Sequence, residues 1–277
     1  MKSLAHPHQL VNAFCVFDDL SVVLFGKTNR GRPSMLSRSE AATIILMKNA
    51  FGINCLKKLY RLLQTNYSHE FHLPVYKNFV VTINRYSLDF LVLINVLLQL
   101  QHRQSGVVKI IDSTAIPVCK NIRIYAHKVM KKIATRSKTT TGWFYGLKLH
   151  IVTDLKRNIL MMKFTTGNID DRVVLDGFLY QLKNSLVLAD AGYISSKLQQ
   201  KAIHRNNVIL TSVRKNMKKL ATPLQIFLLN MRGRIESVFS VLKERLGLIT
   251  SLPRSENGYL AHYSRVLFGY LFEPLIS

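Results

Sequence analysis

The chain has 277 residues, 48% of them hydrophobic, enough for one large or two small domains with a real core, which excludes a disordered protein. Thirty-nine Lys and Arg stand against fifteen Asp and Glu, giving a net charge of +24 and a pI near 10.2. An excess that large calls for a polyanionic partner. Nucleic-acid phosphates fit better than a membrane surface, because the basic residues are not gathered into one amphipathic helix.

In chain order, residues 1–104 read as helical. Ser37-Arg-Ser-Glu40 is a capping box ahead of the apolar Ala41–Ala50, so a helix starts there. Cys55–Leu63 repeats Leu56, Leu59, Tyr60 and Leu63 at helical spacing, with Lys57, Lys58 and Arg61 on the other face. Pro74 breaks the pattern, and Asn78–Gln101 reads as one long helix or two broken ones. Its most apolar part, Leu88 to Leu100, is too short to span a bilayer and is interrupted by Asp89, Asn95 and Gln99. The first residues lack the apolar run of a secretory signal, and Cys15, Cys55 and Cys119 form no CxxC pair, so a cytoplasmic protein with reduced thiols and no membrane segment is expected. The polar Gln101–Gly106 marks the domain boundary, dividing a helical region 1–104 from a region 105–277.

Beyond it come short apolar runs separated by turn residues. Val107–Ile111, Trp143–Thr153 and Ile159–Thr165 read as strands, the last two joined by a turn at Asp154–Asn158. Asn168–Leu182 reads as a helix with Asn168 and Asp171 placed to cap it. Leu186–Leu188 is a fourth strand, Ser195–His204 a helix, Val208–Val213 a fifth strand, and Ile235–Leu246 a helix carrying Glu236. This order predicts an α/β fold with a five-stranded mixed sheet covered by helices.

Acids are scarce, so their positions are informative. Asp112 ends the apolar run Val107-Val-Lys-Ile-Ile-Asp112, and Asp190 ends Leu186-Val-Leu-Ala-Asp190, with Gly192 allowing a sharp turn just beyond. Glu236 lies early in a helix beside Ile235, Val238 and Phe239. One such Asp is an ordinary strand-ending residue. Two, with a helical Glu in so basic a chain, suit phosphoryl transfer, in which carboxylates converge on two Mg²⁺ ions about 3.5–4 Å apart. Asp170, Asp171 and Asp176 are explained by helix capping and dipole compensation.

The segments Ile111-Asp-Ser-Thr114, Gly146-Leu-Lys-Leu-His150, Leu188-Ala-Asp-Ala-Gly-Tyr193 and Arg232-Gly-Arg-Ile-Glu-Ser-Val-Phe-Ser-Val-Leu-Lys243 resemble bacterial insertion-sequence transposases of the DDE type. The likeness spans roughly residues 105 to 250. It implies a ribonuclease-H-like core, with Asp112, Asp190 and Glu236 as catalytic metal ligands. It also implies Mg²⁺ as cofactor (two ions, with Mn²⁺ able to substitute) and double-stranded DNA as partner, both the element's terminal inverted repeats and the target. The activity implied is cleavage at element ends followed by strand transfer, by a homodimer on paired ends. A nuclease or resolvase that never joins, or an inactive DNA-binding remnant, remains an open alternative. The face of Lys57, Lys58 and Arg61 fits a role for the helical region in binding element ends.

Between Lys120 and Lys163 there are eleven Lys or Arg and a single acid, Asp154. Lys128, Lys131, Lys132, Arg136 and Lys138, and a second group with Arg214 and Lys215, are candidate phosphate contacts. Arg232 and Lys243 flank Glu236 at helical spacing and are candidate DNA contacts by resemblance. His150 is a candidate for supporting the metal ligands from behind. Trp143, Phe144 and Tyr145 could stack on bases, but are read as core residues.

Overall fold

The computed structural model describes residues 7–26, 34–140, 142–212 and 222–276, which divide into two compact units. The first comprises the described residues up to Leu97 together with Leu242–Leu248 and those from Pro253 onward. The second comprises Leu98–Val241 and Ile249–Leu252.

The helical unit contains α1 (Pro7–Phe25), α2 (Arg38–Ala50), α3 (Leu56–Asn66), most of α4 (Tyr76–Gln104) and α9 (Glu256–Phe272). The capping box forms as expected: Glu40 N–H donates to Ser37 Oγ at 3.1 Å, and Ser37 N–H to Glu40 Oε2 at 2.6 Å. Residues Ser39 and Ala41–Asn49 of α2 are buried around the whole helix, as are most residues of α9, so both are central helices. Phe90 of α4 stacks on Phe268 of α9 (ring centroids 4.5 Å apart), and Phe17 of α1 lies 5.3 Å from Phe268 and 5.5 Å from Phe272. Each such ring contributes on the order of 1.5–3 kcal/mol by burial. The sequence reading assigned α9 to the sheet region. Its apolar residues point in every direction, and they meet helices α1, α2 and α4.

By length and composition alone, α1 (His8–Phe25, mean hydropathy 1.3) and α4 (mean hydropathy 1.4) are long and apolar enough to cross a membrane. Leu88–Leu100 alone is too short for this; it is the full lengths of α1 and α4 that reach it. In the helical unit, α4 buries Phe79, Ile83, Phe90, Leu93 and Ile94 along one stripe, and Arg38 pairs with its Asp89 at 2.7 Å.

The second unit is built on six strands: β1 (Val108–Pro117), β2 (Thr135–Thr139), β3 (Gly142–Thr153), β4 (Ile159–Thr166), β5 (Leu186–Ala189) and β6 (Val208–Thr211). β3 runs antiparallel to β1, while β5 and β6 run parallel to it, giving the order β3-β1-β5-β6. The free edge of β3 is shared. β4 pairs with Leu147–Thr153 and β2 with Gly142–Gly146. The order β4-β3-β1-β5-β6 is the ribonuclease-H-like arrangement. The five expected strands are present, and β2 is a sixth. Its sequence, Thr-Arg-Ser-Lys-Thr, has no apolar run to announce it, and an edge strand with one solvated face needs none.

One sheet face is covered by α5 (Asp171–Leu179) and α6 (Ser196–Ile203), whose Val174, Leu175, Phe178, Leu198 and Ala202 share a core with Ile111, Val152, Val187 and Ile209. α7 (Pro223–Asn230) and α8 (Arg234–Ser240) follow, and α8 packs on β1. Asp170, two residues after Asn168 and one before Asp171, caps α5 through the Arg172 N–H. Gly146 lets β3 lie close against β1: a Cβ there would overlap the Ile116 carbonyl.

Candidate active site

β1 is longer than its apolar run. It continues for five residues past Asp112 because β3 keeps pairing with it, Asp112 opposite Ile151 and Pro117 opposite Gly146. Asp112 is therefore not at a strand end, as the sequence suggested. It sits where pairing with β5 stops, since the last β1–β5 pair is Ile110 with Leu188. Two residues further along each strand come Asp112 and Asp190, so parallel pairing sets the two carboxylates side by side.

Between them stands Arg232, in a short 3-10 turn (Met231–Gly233) just before α8. Its Nη1 lies 3.8 Å from Asp112 Oδ2 and 3.8 Å from Asp190 Oδ1. Asp112 Oδ1 accepts from the Ser113 N–H at 2.7 Å. Asp190 Oδ1 accepts from the Ala191 N–H at 2.8 Å and from Ser212 Oγ at 3.3 Å. Burial pushes the Asp112 carboxyl up to about 6. The Ser113 N–H and Arg232 oppose that shift, while Asp190 and Asp171 add to it.

Glu236 is exposed in the first turn of α8, and among the described residues no hydrogen bond or ion pair joins it to either Asp. Nor do three His, Cys, Asp or Glu side chains converge to hold a metal among the described residues. The pair alone supplies hard carboxylate oxygens around one cationic locus, held by a guanidinium beyond hydrogen-bond distance from both. That donor set fits a divalent cation.

Behind the pair lies a polar network built on His150, the expected supporting residue, and on Asp171, which sequence position alone assigned to helix capping. His150 is fully buried opposite Ser113, its Nε2 2.8 Å from Thr165 Oγ1, and its Nδ1 3.8 Å from Asp171 Oδ1. Burial pushes its pKa down to about 4 against the pull of Asp171, so the ring is neutral. Asp171 accepts from Ser113 Oγ and Lys148 Nζ, both at 3.0 Å. Burial and the charges of Asp171 and Asp112 push the Tyr193 hydroxyl well above its usual range. Sequence position made Asp171 a helix-start acid. The usable signal was the two-residue period of Lys148 and His150 in Gly-Leu-Lys-Leu-His, which puts both on one face of β3.

Among the basic candidates, Lys128, Lys131 and Lys132 are exposed on the connection from β1 to β2, and Arg136 and Lys138 are exposed on β2. Lys243 lies in the π-helical turn Val241–Arg245 after α8. Arg214 and Lys215 fall outside the described residues. Of the three aromatics read as core, Phe144 and Tyr145 are buried, whereas Trp143 is 52% exposed.

The family described as transposase DDE domain matches residues 102–255, more than half of the chain. The chain belongs to that family. It is a DNA transposase, and DDE domains depend on divalent metal. No curated protein matches its sequence. Among solved structures, a piggyBac transposase synaptic complex with hairpin DNA aligns over 98% of this transposase and 73% of its own chain, at 10% identity and a TM-score of 0.49. A Mos1 transposase paired-end complex with the left transposon end aligns over 92% of both chains at 12% identity and a TM-score of 0.26. Both likenesses are distant, and membership rests on the matched segment.

Proposed function

We propose that this transposase cleaves DNA at the ends of an insertion sequence and joins the freed 3′ ends to target DNA, using Asp112, Asp190 and Glu236 as metal-holding carboxylates. The observation that carries the reading is the pair of acids, Asp112 on β1 and Asp190 just past the parallel β5, facing one loosely held guanidinium. Asp112 and Asp190 would hold the metal, with Glu236 assigned as third ligand by its motif. Bound Mg²⁺ or Mn²⁺, two ions in this reading, supplies Lewis-acid stabilisation of charge on the attacking and leaving oxygens.

The chain's own residues prepare the ground. The Ser113 N–H fixes Asp112 Oδ1, leaving Oδ2 towards Arg232, and the Ala191 N–H fixes Asp190 Oδ1. Burial of Asp112 against β3 limits water around its carboxylate, which strengthens its attraction for a cation. Arg232 offsets part of the pair's charge without metal and becomes available to a DNA phosphate when a cation takes its place. Lys128, Lys131, Lys132, Arg136, Lys138 and Lys243 supply positive charge for the DNA backbone, with Arg214 and Lys215 assigned there by sequence. His150 supports the site through β3 opposite Ser113. In this reading the region 1–104 binds the terminal repeats, 105–277 performs the chemistry, and a homodimer acts on paired ends in a bacterial cytoplasm.

The test is incubation of the purified chain with Mg²⁺ and DNA carrying the element's own ends, which the gene's genomic flanks supply. Cleaved ends and, from a pre-cleaved end, joined product are expected. Both should disappear in Asp112→Asn, Asp190→Asn and Glu236→Gln. Cleavage without joining would replace this reading with a nuclease, and activity surviving Asp112→Asn would overturn the site.

A further inference from the structure

Trp143 is the chain's single tryptophan, and it is half exposed on a strand whose next four residues are buried. The ring has cationic company. Arg136 Cζ lies 4.8 Å from its centroid and Lys138 Nζ 6.0 Å, both projecting from β2, where Lys138 pairs directly with Trp143. Asn121 Nδ2 donates to the Trp143 carbonyl at 2.6 Å, tying the segment after β1 to β3. Between them runs a groove of about 390 Å³ whose lining includes Pro117, Cys119, Lys120, Asn121, Trp143 and Thr250. That volume is in the range of small-ligand clefts. From Lys120 to Trp143 the sequence contains no acid, and on the same connection Tyr125 is almost fully exposed.

We propose that this corner of the sheet unit binds an unpaired nucleotide, its base stacked on Trp143 beside the groove and its phosphates held by Arg136 and Lys138. Intact duplex needs only the cations, because its bases are already stacked and present no face to a protein ring. An exposed aromatic flanked by cations and free of acids is the combination that takes single-stranded nucleic acid, with each base–ring stack contributing substantially to affinity. β2 explains how the site is built. It is an edge strand too polar to serve the core, and its pairing with β3 places two cations on the solvent face beside the ring. The inference rests on DNA being the substrate and is independent of the carboxylate assignment.

Because Trp143 is the only tryptophan, its fluorescence reports this corner alone. The full-length chain is titrated with three DNA probes: a blunt hairpin duplex, the same duplex with a five-nucleotide thymidine overhang, and one whose overhang is five abasic sites. The thymidine overhang should quench the emission and bind about tenfold more tightly than the abasic one. In Trp143→Ala, with binding followed by the anisotropy of end-labelled probes, that preference should vanish while the abasic probe binds as before. Trp143→Tyr should keep part of it, which separates loss of stacking from loss of fold. Arg136→Ala and Lys138→Ala should weaken both overhang probes and flatten the dependence on salt. Equal affinity for thymidine and abasic overhangs, or a preference that survives Trp143→Ala, would overturn the nucleotide site and leave the transposase reading intact. Failure to bind any of the three probes would overturn both.

Discussion

In the helical unit, Arg265 is 7% exposed, yet its guanidinium donates to Asn84 Oδ1 at 2.6 Å and Ser87 Oγ at 3.2 Å, and Ser264 Oγ donates to the Ser87 carbonyl beside it. In the sheet unit, the guanidinium of Arg232 stands 3.8 Å from each of two carboxylates and within hydrogen-bond distance of neither. One arginine is locked by neutral oxygens that hold it whatever it costs to desolvate. The other balances charge without being fixed. A locked polar group specifies a packing arrangement, whereas a loosely balanced one leaves room for exchange with another cation. The same contrast holds for His262 and Asp112. His262, half-buried, is engaged by the Gly247 carbonyl at 2.9 Å, while the equally half-buried Asp112 is an acid whose surroundings disfavour its charge.

The largest expected effect is at Asp112. In Asp112→Asn, cleavage should fall by more than the roughly 10–100-fold typical of disturbing a metal's outer shell. Without metal the same variant should be more stable. The folded chain raises this acid from 3.8 to about 6, so at neutral pH its charge costs more to hold in the folded chain than in the unfolded one. That penalty is absent below 3.8 and complete once pH has risen through 6. Its removal contributes up to about 3 kcal/mol. Urea unfolding at pH 7 checks it, and a variant less stable than the parent would argue that Asp112 is structural. Added Mg²⁺ should stabilise the parent and not the variant.

Two glycines sharpen the contrast next. A Cβ at Gly146 meets the Ile116 carbonyl, part of a backbone pinned in the sheet, whereas one at Gly269 meets the Asn49 side chain. Gly146→Ala should cost roughly 2–4 kcal/mol and Gly269→Ala less, because a side chain can move aside and a paired strand cannot. Thermal unfolding of the two variants tests the order. Equal losses would show α2 and α9 to be as inflexible as the sheet.

His262 gives the helical unit its own pH signature. Burial, then Arg265, pushes it down to about 4 from 6.5, so it folds neutral. The unfolded chain takes up the proton first as pH falls below 6.5, and stability should decline until about 4, by up to about 3 kcal/mol. His262→Gln should flatten that part of the urea midpoint against pH. An unchanged slope would put the acid sensitivity elsewhere.

How much of this was legible depended on what each feature needed from its sequence. The capping box at Ser37 is local chemistry and was readable residue by residue, as were the apolar strands β1, β3, β4 and β5. β2 was not, since an edge strand exposes Arg136 and Lys138 and buries little. The two Asp were visible as ends of apolar runs, but their adjacency comes from β1 pairing in parallel with β5, which no single run encodes. Asp171 hid behind its neighbour Asp170, because a cap and a partner for Lys148 look alike until the strands are paired. Trp143 was misjudged because an aromatic among Phe144 and Tyr145 reads as core. The strand's alternation and the end of the sheet decide which ring meets water.

The smallest expected change in stability is also the most direct probe of the comparison. Arg232→Gln removes a cation that is a quarter exposed and beyond hydrogen-bond distance of its partners, so stability at pH 7 should change by less than about 1 kcal/mol. Arg265→Gln, in contrast, shortens a group buried among donors and acceptors built around it, and should cost about 1–3 kcal/mol. The informative difference lies in what Arg232 leaves behind. Losing its charge should raise the Asp112 carboxyl further, measurable by carbon-detected NMR titration of the side chain. It should also free the pair for a competitor, so that Mg²⁺ stabilises Arg232→Gln at least as strongly as the parent. Weaker stabilisation by Mg²⁺ would mean that the guanidinium organises the carboxylates for the ion and does not merely stand in its place.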